Sequence, residues 1–175
     1  MLNRRQIQEM LGLRVRWTNQ LLEPLVEQKL VTYRESVEGR IYKLTKKGCE
    51  MYGSKYLWGW GNLNHTLLRN WYIINEFGGW SKNIKIEADI QLDGSSYGIC
   101  DASIQKDELF ILEVDRFQKW KANITKMERY KDLKNEGIDF TLVWIVEMES
   151  RVPKIEKKCR DLKLSYEVYS KDDVK

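Results

Sequence analysis

The chain has 175 residues, of which 42% are hydrophobic and 32% are charged, a composition typical of a globular protein with one domain or two small ones. No apolar run approaches about 18 residues, which argues against a membrane span, and the polar segment Met1–Arg5 is unlike a signal peptide. The three cysteines are far apart and form no Cys-x-x-Cys pair. The sequence therefore predicts reduced thiols, a cytoplasmic location and no zinc site.

The net charge of +4 is distributed unevenly along the chain. Residues 1–55 hold 11 of the 30 Lys and Arg residues but only 6 of the 26 Asp and Glu residues, whereas residues 56–175 are nearly balanced. A small basic domain favours a polyanionic partner, because contact with phosphates releases counterions. A solvated basic surface would have the same composition, so charge alone does not choose between these two interpretations.

The N-terminal third has the pattern of two short helices, a hairpin and a third helix. Apolar residues spaced by three and four predict helices over residues 4–13 and 14–30, separated by Gly12. The apolar stripe of the second helix is predicted to comprise Leu21, Leu22, Leu25 and Val26. Residues 30–34 and 40–44 have strand composition around a Glu-Gly turn signal, and residues 45–52 predict a further helix.

This order of elements is that of a winged helix-turn-helix, and the string GLRVRWTNQLLEPLVEQKLVTYRESVEGRIYKLTKKG resembles bacterial regulators of that type. The resemblance implies that the helix after the turn enters the major groove and that the hairpin lies beside the DNA backbone as a wing. Arg and Asn side chains can make bidentate contacts to guanine and adenine. The predicted residues at the start of this helix are Arg14, Arg16, Trp17, Thr18, Asn19 and Gln20. The predicted phosphate contacts on the wing are Arg34, Arg40 and Lys43. The alternative is that these polar residues only solvate a domain used for protein contact.

Such domains usually have a further helix before the helix-turn-helix, and here the sequence starts almost at that motif. We therefore expect the C-terminal domain or a second subunit to cover the apolar faces of the short helices, and a homodimer is one such arrangement. Glycines and tryptophans between residues 53 and 64, Trp58 among them, indicate a packed domain boundary. The sequence thus predicts a first domain at 1–55 and a second at 62–175.

The second domain is predicted to combine a sheet with helices on its faces. Periodicity predicts a helix, three strands, a helix, a strand, a helix and a strand, at residues 64–77, 84–92, 97–104, 108–114, 118–135, 140–146, 153–162 and 165–169. The order and lengths resemble the restriction-endonuclease-like α/β fold. In that fold two carboxylates hold a divalent metal and a lysine orients the attacking water.

Three acidic residues occupy positions like those of the nuclease site. Asp101 stands in ICDASI, and Glu113 and Asp115 end the next strand, where they share a face because strand side chains alternate. These acids could bind Mg²⁺, with Asp101 and Glu113 as the metal ligands. Asp115 replaces the lysine of the nuclease pattern, and Lys126 on the following helix is a candidate substitute. Alternatively, Asp115 caps that helix and Asp101 pairs with a lysine.

The strings NHTLLRNWYIINEF, CDAS, FILEVDR and KMERY resemble the replication-relaxation family of plasmid and mobile-element proteins. This resemblance covers almost the whole chain. It implies sequence-specific binding of double-stranded DNA in replication, mobilisation or their transcriptional control, with replication or mobilisation proteins as further partners. The second hypothesis is a metal-dependent DNA nuclease or nicking accessory targeted by the winged helix. The missing lysine favours the first hypothesis, and the carboxylate cluster favours the second.

Overall fold

The computed structural model describes residues 1–54, 56 and 59–174. These residues form a mixed α+β structure that divides into two units, Met1–Gly79 and Trp80–Lys175. Over the described residues there are six α-helices, a three-stranded sheet and a five-stranded mixed sheet. Trp58, which the sequence places at the domain boundary, lies outside them. No helix in these ranges is both long and apolar enough to cross a membrane.

The N-terminal unit combines short helices with a small antiparallel sheet. The strands are β1 (Leu2–Asn3), β2 (Val31–Arg34) and β3 (Ile41–Leu44), in the order β1-β3-β2. The helices are α1 (Arg4–Leu11), α2 (Val15–Glu27), α3 (Lys46–Met51) and α4 (Leu63–Phe77). The helices and strands predicted over residues 4–52 are all present with slightly shorter ends, and β1 is the only one of these elements that the sequence did not predict.

Local interactions explain where α1 begins and ends. The side chain of Asn3 accepts a hydrogen bond from the backbone N–H of Gln6 at 2.8 Å, and the side chain of Gln6 accepts one from the N–H of Asn3 at 3.2 Å. This reciprocal pair is a capping box. At the other end, Gly12 has φ 63°, a left-handed conformation that glycine adopts without steric cost. The turn between α1 and α2 is therefore fixed by its own sequence.

Helix α4 belongs to the N-terminal unit, whereas the sequence-based boundary placed it in the second domain. It packs against α1 and β1. The side-chain amide of Gln6 donates to the carbonyl of Leu67 at 2.7 Å, and the Arg5 guanidinium lies 5.3 Å from the centre of the Trp71 ring. Helix α4 therefore supplies at least part of the cover that the short helices were expected to need.

The second unit is built on one five-stranded sheet. Its strands are β4 (Ile84–Leu92), β5 (Ser95–Gln105), β6 (Leu109–Asp115), β7 (Phe140–Val146) and β8 (Tyr166–Ser170), in sequential order across the sheet. Its helices are α5 (Trp120–Asn135) and α6 (Val152–Asp161), with a 3-10 helix at Glu149–Arg151. Strands β4 to β6 are antiparallel neighbours, while β6, β7 and β8 are parallel and joined through α5 and α6. The predicted order of elements in this region is confirmed.

The core of the second unit lies between the sheet and its two helices. Strand β7 is buried along its whole length, as expected for a continuously apolar strand with parallel neighbours on both sides. Met127 and Leu133 of α5 and Ile155 of α6 belong to one buried cluster with Ile111 and Trp144 of the sheet. This packing fixes α5 over the carboxyl end of β6, where two of the predicted acidic residues lie.

Candidate functional site

The exposed surface of α2 carries most of the residues predicted to read DNA. Arg14 is the N-cap of this helix, and Arg16 and Gln20 are exposed, while Asn19 is half-buried. Trp17 is 60% exposed. Thr18 differs, because it is fully buried and its hydroxyl donates to the carbonyl of Arg14 at 3.2 Å. Five of the six predicted positions therefore reach solvent, and Thr18 lies on the inner face.

The inner face of α2 also corrects the predicted apolar stripe. Leu22 is buried in a cluster with Ile7, Val31 and Tyr42, and Leu25 and Val26 pack against that cluster. Leu21, predicted as part of the same stripe, is 45% exposed. Leu21 and Leu22 are adjacent in the chain and point to different faces of the helix. Their apolar character alone therefore did not show which of the two is buried. Sequence periodicity identified the helix and misplaced one of its residues.

The hairpin of β2 and β3 presents two of its three predicted cations. Arg34 and Arg40 are exposed. Arg40 donates from Nε to Glu35 Oε1 at 2.8 Å, and its guanidinium lies 4.6 Å from the centre of the Tyr33 ring. Both contacts are at the surface, where an ion pair is weak and phosphate can compete for the cation. These two arginines are therefore at the exposed surface of the hairpin.

Lys43 is engaged by a neighbouring segment of the same unit. Its ammonium group donates to the carbonyl of Gly59 at 2.5 Å. It also lies 4.8 Å from the ring centre of Trp60 and 5.5 Å from that of Tyr56, which are cation–π distances. The segment after α3 is thereby attached to β3. Lys43 thus has a packing role that the sequence analysis, which placed it among the phosphate contacts, did not anticipate.

In the second unit, Glu113 is a buried acid in contact with two other polar side chains. Its side chain is 1% exposed. Lys126 Nζ lies 2.5 Å from Glu113 Oε2, and the Tyr130 hydroxyl donates to Oε1. The pKa of Glu113 is raised to about 7, mainly by burial; the positive charge of Lys126 opposes the rise and the negative charge of Asp101 adds to it. Glu113 therefore changes its charge near neutral pH, in contact with a lysine and a phenol.

Asp101 lies at the point where strands β5 and β6 separate. Their antiparallel ladder ends at the pair Ala102–Leu112. One residue beyond it, Asp101 Oδ2 accepts a hydrogen bond from the backbone N–H of Val114 at 2.7 Å. The carboxylate thus replaces the backbone acceptor that the ladder no longer supplies, because an unpaired N–H at this position would be costly. Asp101 therefore stabilises the backbone of β6 at Val114, next to Glu113.

Asp115 anchors the loop that precedes α5. It is fully buried and accepts hydrogen bonds from the N–H of Gln118 at 3.0 Å and from the side-chain amide of Asn123 at 2.6 Å. The Arg151 guanidinium contacts Asp115 Oδ2 and also donates to the carbonyl of Gln118 at 2.9 Å. Asp115 therefore joins the start of α5 to the 3-10 helix, which is close to the capping role considered as an alternative.

The residues present do not fit a divalent cation. Among the described residues, no group of three or more His, Cys, Asp or Glu side chains is placed to hold a metal ion. Both oxygens of Glu113 are in contact with Lys126 or Tyr130, and Asp115 is paired with Arg151. Lys126 does meet the acidic group, as the sequence analysis suggested. The sequence analysis missed the other partners, Tyr130, Asn123 and Arg151. The first two lie seven residues apart on α5, a spacing that could have indicated a shared face of the helix.

No family model matches the chain, and no curated protein matches it.

Proposed function

We propose that this chain binds double-stranded DNA in a sequence-specific manner, and that its N-terminal unit is a winged helix-turn-helix. The observation that carries the proposal is the exposed start of α2. Arg14, Arg16 and Gln20 reach solvent in the first turns of α2, which follows α1 after a short turn at Gly12. An antiparallel hairpin with Arg34 and Arg40 at its surface follows in the chain. Helix followed by wing is the arrangement by which such domains read a groove and contact its backbone.

The distribution of charge along α2 supports entry by its N-terminal end. Arg14 and Arg16 lie at the beginning of the helix, while Glu23 and Glu27 are exposed in its second half. Carboxylates repel phosphates, so close contact is confined to the first two turns. The helix dipole adds partial positive charge at the same end. Both the charge distribution and the helix dipole support DNA binding at the start of α2.

A binding experiment with two arginine variants tests this function. Wild-type protein is titrated into a fluorescent duplex selected from a random 20-base-pair library, at several salt concentrations. Arg16→Ala is expected to weaken the selected site by about 1–3 kcal/mol if Arg16 reads a base. Arg34→Ala is expected to weaken all duplexes alike and to lower the salt dependence by about one phosphate contact. Lys154→Ala, an exposed lysine on α6 of the second unit, is the matched control. Unchanged affinity in both arginine variants would refute the placement of DNA on α2 and the hairpin.

The proposal extends to the second unit and to the cellular process. We propose that the second unit is a restriction-endonuclease-like domain whose site is altered, and that it serves docking or dimerisation. The order of its sheet and the two parallel crossovers support this view.

The resemblance to replication-relaxation proteins makes replication or mobilisation of a plasmid or mobile element the proposed process, with the proteins of that process as partners. Footprinting on the DNA of the replicon that encodes the chain tests the process.

A metal-dependent nuclease or nicking accessory is the second candidate. The position of one lysine favours it, whereas the pairing of Glu113 with Lys126 and Tyr130 opposes metal binding. Lys126 lies 2.5 Å from Glu113, which restores a lysine beside the acidic group although position 115 holds an aspartate. Incubation of supercoiled plasmid with the protein in Mg²⁺, Mn²⁺ or EDTA separates the candidates. A band shift in EDTA with intact DNA in both metals supports the binding protein. Metal-dependent nicking that is lost in Glu113→Ala or Asp101→Ala supports the nuclease.

A further inference from the structure

Three apolar side chains are exposed on the first half of α2. Val15 is 49% exposed, Trp17 60% and Leu21 45%. Trp17 and Leu21 are four residues apart and so lie on one face of the helix. Gln20, which is exposed and three residues after Trp17, lies on the same side. Among the described residues, the core cluster of this unit contains other residues of α2, Leu22 among them, and neither Trp17 nor Leu21.

We infer that Trp17, Gln20 and Leu21, here called the α2 stripe, select A·T base pairs in the major groove. The inference rests on the proposed DNA binding and adds the class of sequence recognised. Thymine is the base that presents an apolar group, its 5-methyl, in the major groove. Adenine presents the acceptor and donor that a glutamine amide can pair with. The α2 stripe therefore carries partners for both members of one base pair within a single turn of helix.

Charge around the α2 stripe favours DNA over an uncharged apolar partner. Arg14 and Arg16 are exposed at the N-terminal end of the stripe, and both lie within one helical turn of Trp17 along the chain. Phosphates on either side of the major groove are the natural partners of such cations. An apolar face flanked by arginines thus matches a groove that has methyl groups on its floor and phosphates on its rims.

Replacement of thymine by uracil tests the inference, because uracil lacks only the 5-methyl group. Duplexes are first selected from the random library, and each thymine in the selected core is then changed to uracil. Each methyl group contacted by the α2 stripe is expected to contribute about fourfold in affinity, the effect of burying one such group. In Trp17→Ala, the difference between thymine and uracil duplexes is expected to vanish at one position. Met51→Ala, which removes an exposed apolar side chain from α3, is the control and should keep the difference.

The outcomes separate this inference from the function on which it rests. A core rich in A·T pairs, with uracil sensitivity that Trp17→Ala removes, supports the inference. Tight binding to a core of G·C pairs, or equal affinity for thymine and uracil duplexes, overturns it and leaves DNA binding intact. Absence of binding to every duplex overturns both proposals. A dimer in solution that Trp17→Ala converts to a monomer assigns the α2 stripe to self-association and overturns the inference.

Discussion

Replacing Glu113 with glutamine is expected to change the dependence of stability on pH. The native structure raises the pKa of Glu113 from 4.5 to about 7, so between these values the native state binds a proton that the unfolded chain has released. Under that condition the free energy of unfolding falls as the pH rises. The stabilisation by this group is complete below pH 4.5 and is lost as the pH rises through about 7.

The size of the effect follows from burial. Glu113 is 1% exposed, so solvent screening does little to reduce it. The difference between 4.5 and about 7 corresponds to about 3 kcal/mol in the free energy of unfolding. Glutamine is neutral at every pH and can still accept the hydrogen bond from Tyr130. The free energy of unfolding of Glu113→Gln, relative to that of the wild type, should therefore rise by about 3 kcal/mol between acid pH and pH 8. Most of this rise should occur above pH 5.

Urea unfolding at a series of pH values measures this gain. Pulsed hydrogen exchange, read on peptides of β6 and β7, reports the unfolding of the second unit separately. When the free energies of unfolding of variant and wild type are subtracted at each pH, the contributions of the other titrating groups cancel. Glu128→Gln, which changes a half-exposed carboxylate on α5, is the matched control and should not show this gain. A flat difference for Glu113→Gln, or one that favours the wild type as the pH rises, would refute the reasoning.

Three other substitutions are expected to destabilise the fold. Arg151→Ala leaves the buried carboxylate of Asp115 without its cation and should cost about 3–5 kcal/mol in urea unfolding. Gly48→Ala places a methyl group 2.1 Å from the carbonyl oxygen of Leu30. The melting temperature of the N-terminal unit should therefore fall by several degrees, or the cooperative melting transition should disappear. Gln6→Ala removes one half of the capping box and the bond to α4 and should cost about 1–3 kcal/mol, whereas Gln8→Ala on the same helix should cost less.

Much of the local structure could be predicted because it depends on neighbours in the chain. Gly12 ends α1 in a left-handed conformation. Asp93 and Gly94 both have positive φ, at 48° and 80°, as an Asp-Gly hairpin requires. The continuous apolar run of β7 identified a strand buried on both faces. Each of these features is decided within about four residues, by steric preference or by the alternation of side chains.

The candidate site was predicted in part for the same reason. Alternation along β6 placed Glu113 and Asp115 on one face, and the register of α5 brought Lys126 to Glu113. No sequence pattern indicated that Asp115 pairs with Arg151, 36 residues later. That contact exists because the 3-10 helix follows the parallel strand β7 and returns to the carboxyl end of β6. Spacing along the chain does not encode such a meeting.

By itself, the sequence determined the identity and order of the elements and the acidic and basic residues available to a site. Only the tertiary structure decided which face of α2 is outward, so that Thr18 turns inward while Trp17 and Leu21 meet solvent. It also decided that α4 packs on α1 and that Asp101 serves a backbone N–H of β6. The physical reason is that periodicity records which residues are apolar, whereas burial depends on the elements that pack against them from elsewhere in the chain.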